Sequence, residues 1–170
     1  MTSPARQHTY TTPHYRLSLV RDRTVRYQAP SLCCADTAAL ALAALLGDAP
    51  GERLVVAYLD NHLRVMGTET IAMGGQTGCG GSLPELFRGA VLIGARAVIL
   101  AHNHPSGSSE PSDRDAAMTA AAVQAGQLLG IEVLDHFVVG DSDAYGIVSK
   151  TVVKLPRQQQ PPPTEGTPNA

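Results

Sequence analysis

The chain has 170 residues, long enough for one domain with a sizeable core and modest tails. Thirteen Lys and Arg against fifteen Asp and Glu leave a formal net charge of −2, so no global field points to nucleic acid or to a membrane surface. The three cysteines, Cys33, Cys34 and Cys79, show neither an even count nor metal-ligand spacing, which argues against a disulfide scaffold and for a reducing compartment.

Residues 1–8 are read as disordered, and they lack the apolar core of a signal peptide. No apolar run approaches membrane-spanning length, so the expectation is a soluble, cytoplasmic protein with no membrane partner. Residues 15–20 and 24–27 alternate apolar and polar around a charged turn, the pattern of an exposed hairpin. Among the first 28 residues Arg6, Arg16, Arg21, Arg23 and Arg26 face only Asp22, a weak signal for an acidic partner.

Asp36 is expected to cap a helix through Leu46, with Gly47 as its stop. That helix is apolar almost all round and should be buried, with Cys33 and Cys34 as small packing residues before it. Residues 51–60 read as a central strand with Glu52 at its start; taken alone, a strand-end Glu is an exposed residue. A turn at Asp60-Asn61 leads into a second strand over 63–71. The glycine-rich 74–81 lacks the Gly-Lys-Ser/Thr ending of a P-loop and the spacing of a dinucleotide fingerprint, so it reads as a surface loop. A helix opens at Leu83 or Pro84 and runs to about Gly94, with Glu85 placed favourably in its first turn.

Residues 97–101 are an uninterrupted apolar run of the kind that forms a strand buried on both faces. His102 and His104 sit at its end. Because side chains alternate along a strand, they project to one side about 6.6 Å apart while Asn103 points away. That spacing suits two imidazoles sharing one metal ion. After a loop, Ser112 is a natural N-cap for a helix whose inward stripe is read as Asp115, Met118, Ala122, Ala125 and Leu129. An unpartnered carboxylate on that stripe would be costly to bury, and a cation removes the cost. Two neutral imidazoles and one carboxylate, with a fourth position left for water, have the composition of a catalytic zinc site. The same Ser112 and Asp115 also satisfy an ordinary capping arrangement.

A further strand is expected over 131–139, with His136 inside it as a core or supporting histidine, and a short strand over 145–148. From Pro156 onward the Gln/Pro-rich sequence reads as a disordered tail, leaving residues 9–155 as the domain.

The string His102-Asn103-His104-Pro105-Ser106-Gly107, followed by Pro111-Ser112 and Asp115, resembles the JAMM (MPN) metalloprotease signature, H-x-H, seven residues, Ser, two residues, Asp. The Pro-Ser-Gly after the second histidine, the 126–131 string and Leu134-Asp135-His136 resemble its RadC branch. The resemblance covers about residues 30–148. It implies an α/β fold of α+β type, the cytidine-deaminase-like arrangement of a curved mixed sheet flanked by helices. It also implies zinc on His102, His104 and Asp115, an oxyanion-stabilising Ser112, and a catalytic Glu on an early strand. Glu52 occupies the matching position, with Glu85 in reserve. Longer RadC proteins carry an N-terminal helix-hairpin-helix region, and a short form without it is expected here.

The function this implies is zinc-dependent hydrolysis of a peptide or isopeptide bond, with Glu52 taking the proton of a water and passing it to the leaving amine. The substrate would be a protein or peptide, including ubiquitin-like ones. A non-catalytic binding module and a DNA-repair accessory acting through the basic early segment are the alternatives. Zincin, nucleophile-elbow and zinc-deaminase signatures are all missing from the sequence.

Overall fold

A computed structural model describes residues 31–47, 51–73 and 81–156, together with 16, 19–22 and 24. The apolar run becomes the first five residues of β3 (Ala97–Asn103), which is buried from Ala97 through His102. It lies between β1 (Arg53–Leu59), antiparallel to it, and β4 (Glu132–Val139), parallel to it. With β2 (Val65–Met73), β5 (Asp143–Gly146) and β6 (Thr151–Lys154), these strands form one six-stranded mixed sheet in the order β2-β1-β3-β4-β5-β6.

The continuous hydrophobicity of β1 and β3 has a simple cause: both faces are covered. Val55, Ala57, Leu59, Ile99 and Ala101 point to one face, where they meet Leu42 and Leu46 of α1 (Ala35–Leu46). Leu54, Val56, Tyr58, Val98 and Leu100 point to the other. There they pack on Leu86, Phe87 and Ala90 of α2 (Leu83–Ile93) and on Ala122 of α3 (Asp113–Leu129). His102 has the parity of Val98 and Leu100. Strand alternation therefore sends it to the α3 side of the sheet.

Several boundaries differ from the sequence reading. Helix α1 begins at Ala35 with Cys34 as its N-cap, so Asp36 lies in the first turn instead of capping it. It is not buried all round, since Leu40 is exposed, and Cys33 and Cys34 are exposed as well. The last expected strand forms two residues earlier, as β5. A turn through Lys150, which holds a positive φ of 59°, then leads into the unanticipated β6. Four residues with only Val153 buried are too short to leave a periodic signal.

The inward stripe of α3 is Asp115, Thr119, Ala122 and Gly126, while Leu129 is exposed. Met118 and Ala125 are only partly buried. Small and polar residues face the sheet here because the helix lies very close to the strand that follows. The αL cap at Gly130, with φ 68°, turns the chain sharply so that Ile131 N–H donates back to the Gly126 carbonyl at 2.9 Å.

The expected disordered residues 1–8, the hairpin, the glycine loop and the tail fall outside the described residues, apart from 16, 19–22, 24, Gly81 and Pro156. None of 16, 19–22 or 24 is in a strand. Among the described residues no helix is long and apolar enough to cross a membrane.

A Cβ at Gly126 would overlap the backbone carbonyl oxygen of Ile131 and press on Val133. Gly to Ala inside a helix ordinarily stabilises by up to ~1 kcal/mol. Here the sign should reverse: Gly126→Ala is expected to cost about 1–3 kcal/mol in urea unfolding, as overpacking does.

Candidate metal centre

The site forms where three chain segments end together. His102 lies at the end of β3, only 2% exposed. The chain stays in register for two more residues, and His104 N–H donates to the Val139 carbonyl at 3.3 Å. The two histidines thus turn to the same side, their Nε2 atoms 3.0 Å apart. Gly107, at φ 75°, then folds the loop back onto the β4–β5 turn, where Asp141 N–H donates to the Gly107 carbonyl at 2.9 Å and Ser109 Oγ to Asp143. Any Cβ at Gly107 would overlap the Asp141 carboxylate. This fold-back delivers the start of α3 to the histidines.

Ser112 is the N-cap, and with Asp115 it closes a capping box. Its Oγ accepts from Asp115 N–H at 3.2 Å, while Asp115 Oδ2 accepts from Ser112 N–H at 2.8 Å and from Ser112 Oγ at 2.6 Å. The same carboxylate faces the imidazoles, with Oδ1 3.4 Å from His102 Nε2 and Oδ2 3.5 Å from His104 Nε2. The side chain that closes the capping box thus also faces the two imidazoles.

Glu52 completes the group. The β1–β3 register pairs Leu54 with His102, and continued by two residues it sets Glu52 opposite His104. Asn103, turned to the other face, holds this segment: its Oδ1 accepts from Arg53 N–H at 2.9 Å, and its Nδ2 donates to the Gly51 carbonyl at 3.2 Å. One amide therefore brackets Glu52 on both sides. One ligand atom each from Glu52, His102, His104 and Asp115 lies within 4.8 Å of the others. Glu85 stands apart from them, accepting from Ser82 N–H and Oγ in the capping box of α2.

The donor set fits a divalent ion. Ligands about 2.1 Å from a tetrahedral zinc stand roughly 3.4 Å from one another, and the separations among His102, His104 and Asp115 are 3.0, 3.4 and 3.5 Å. Burial pushes the Asp115 carboxyl up, but its contact with the His102 imidazole and the hydrogen bonds from Ser112 outweigh it and hold the group well below the usual carboxylate range. The carboxylate is thus ionised and available.

Behind His102 lies a second layer. His136, fully buried on β4, has its Nε2 2.8 Å from His102 Nδ1, and its Nδ1 is 2.6 Å from Thr119 Oγ1. Burial, with a smaller push from His102, lowers His136 to about 3, so this imidazole is neutral. Asn103 and Thr119 were not singled out from the sequence. Thr119 carries a usable signal, since it stands four residues after Asp115 on the same helix face.

The sign of the pH effect follows. Below its ordinary pKa of about 6.5, His136 of the unfolded chain takes up a proton that the folded chain refuses until about 3. Its contribution is therefore complete above pH 6.5 and declines as pH falls through this window. For the metal-free protein, stability should fall between pH 7 and 4.5 by up to ~1.4 kcal/mol per pH unit more than in His136→Gln. Urea unfolding of both across that range measures the difference.

Residues 32–152 match the profile of the RadC-like JAB domain. The chain is 44% identical over 112 residues to a UPF0758 protein of Halorhodospira halophila, covering 66% of this chain and 50% of that one. It is 39% identical over 135 residues to one of Thermosynechococcus vestitus, covering 78% and 52%, and 42% identical over 97 residues to one of Carboxydothermus hydrogenoformans, covering 57% and 43%. The chain spans about half the length of these relatives. The profile match extends across the sheet and over every residue of the metal-ligand group, and the chain belongs to the RadC-like JAB domain family.

Proposed function

We propose that this domain hydrolyses a peptide or isopeptide bond in a protein or peptide substrate, with zinc held by His102, His104 and Asp115. The observation that carries the reading is the convergence of those three side chains and Glu52 within 4.8 Å at one end of the sheet. When bound, zinc supplies a Lewis acid that brings the pKa of a water towards ~7 and polarises a carbonyl.

The chain's own residues do the rest. A Glu52 carboxylate oxygen takes the proton of the attacking water and returns it to the leaving nitrogen, so that acid and amine products balance the water consumed. Asn103 keeps the backbone on either side of Glu52 in place during both transfers. Ser112, exposed at the lip of the site, donates to Asp115 at 2.6 Å and can turn that hydrogen towards a developing oxyanion. The His102 side is sealed whereas the His104 side chain is 18% exposed, so a substrate enters from the His104 and Ser112 side. An extended tail, such as that of a ubiquitin-like protein, fits such an approach.

Purified protein should contain about one zinc per chain by elemental analysis and should cleave a ubiquitin-like substrate with a flexible tail or an isopeptide linkage. Glu52→Gln is expected to keep the zinc and lose about 100-fold or more in cleavage. His102→Ala should lose the zinc itself. A zinc-replete wild type that cleaves no such substrate would favour the binding-module alternative.

Asn103→Ala removes the clamp while leaving every ligand in place. Its zinc content should be unchanged and its kcat lower by about 10- to 100-fold, the range that a misplaced catalytic group produces. Steady-state kinetics beside metal analysis would show this.

A further inference from the structure

We infer that Thr119 and His136 are positioning residues that fix the tautomer of His102, holding its Nε2 unprotonated and aimed at the metal position. The inference rests on the proposed metal site and adds how that site is set. It comes from counting hydrogens along one buried chain of contacts.

Thr119 Oγ1 lies 2.6 Å from the Asp115 carbonyl oxygen, four residues earlier in α3. Two oxygens cannot approach that closely without a hydrogen between them, since their lone pairs would face each other. A carbonyl has no hydrogen to give, so the Thr119 hydroxyl supplies it. That hydroxyl has only one, yet its oxygen is also 2.6 Å from His136 Nδ1. The hydrogen of this second contact must therefore come from the imidazole, which makes His136 the Nδ1–H tautomer.

The consequence passes along the ring. With Nδ1 carrying the hydrogen, Nε2 of this fully buried imidazole is a bare acceptor, and it sits 2.8 Å from His102 Nδ1. His102 must then donate from Nδ1. Thr119, His136 and His102 are 3%, 0% and 2% exposed, so bulk water has little room to satisfy these atoms instead. The opposite arrangement, with the hydroxyl donating to His136 and His136 donating to His102, leaves the 2.6 Å oxygen–oxygen contact without a hydrogen.

The remaining nitrogen, His102 Nε2, faces His104 Nε2 at 3.0 Å and Asp115 Oδ1 at 3.4 Å. It is the ring position that the relay leaves to accept a hydrogen from His104 or to take a metal ion. A ligating imidazole needs its other nitrogen to donate, and such partners set ring orientation and basicity. The partner here is a second histidine, itself oriented by a helix hydroxyl. Because that hydroxyl bonds the carbonyl of Asp115, the relay starts and ends on the same ligand residue.

Long-range proton–nitrogen correlation spectra of the metal-free full chain at alkaline pH should show neutral His102 as the Nδ1–H form. Zinc competition against a chromophoric chelator supplies the second readout. Thr119→Val, close to the same shape without the hydroxyl, should bind zinc about 10- to 100-fold more weakly and change the His102 tautomer, and Thr119→Ser should restore both. Wild-type His102 in the Nε2–H form would overturn the inference whatever the variants do. So would a Thr119→Val protein that keeps wild-type zinc affinity. Should the wild type bind no zinc at all, the proposed function fails, while the tautomer measurement on the metal-free chain still decides the relay.

Discussion

Everything at the site depends on burying the Asp115 carboxylate beside two imidazoles at the end of β3. Asp115 is 9% exposed and His102 2%, and the two Nε2 atoms and both carboxylate oxygens face a common space. Gathering acceptors in this way is unfavourable unless a positive charge joins them. The capping box relieves part of the cost, since Oδ2 takes two hydrogen bonds from Ser112. Oδ1 turns to His102, and a cation would complete the arrangement.

The mixed sheet makes that arrangement reachable. A parallel β3–β4 pair needs a crossover, and α3 supplies it, starting beside the end of β3 and returning to the start of β4. Antiparallel β1 begins where β3 ends, which puts Glu52 next to the histidines without a long loop. The ligand group and its candidate base therefore come from regular elements or from residues adjoining them. Such placement holds a constellation more tightly than a loop would.

Much of this was legible in the chain, and the reasons are local. The apolar run 97–101 predicts a strand buried on both faces, and strand parity alone puts His102 and His104 together. Ser112 and Asp115 announce a cap, and the structure brings that same carboxylate to the histidines. The inward stripe of α3 differs from the one hydrophobicity predicts, because close helix–strand packing selects Thr119 and Gly126 over Met118 and Leu129, and hydrophobicity does not report closeness. Glu52 reads as an exposed strand-end acid unless the register across β1 and β3 is known, and that register is a property of the fold. The short β5–β6 hairpin carries too few residues to show a period. Asn103 was seen to point away from the histidines. What it points towards, the backbone of 51 and 53, lies some fifty residues earlier and leaves no local trace.

The site has two unlike sides, and the difference divides the work between them. Towards the core, His102, His136 and Thr119 form a sealed chain in which the hydrogens are fully assigned by the contacts. Towards solvent, His104 is partly open and Ser112 exposed. The proposed hydrolysis, which would admit water, hold an acyl group and release an amine, needs freedom on one side only. Rotation of the Ser112 hydroxyl away from Asp115 costs one part-buried hydrogen bond, about 0.5–1.5 kcal/mol. Rotation of the Thr119 hydroxyl would leave a buried donor or acceptor unpaired at the far end of a chain of three side chains, a larger cost. On the proposed function, the adjustable hydroxyl thus lies where charge would develop and the fixed one beside the side chain that would hold the metal.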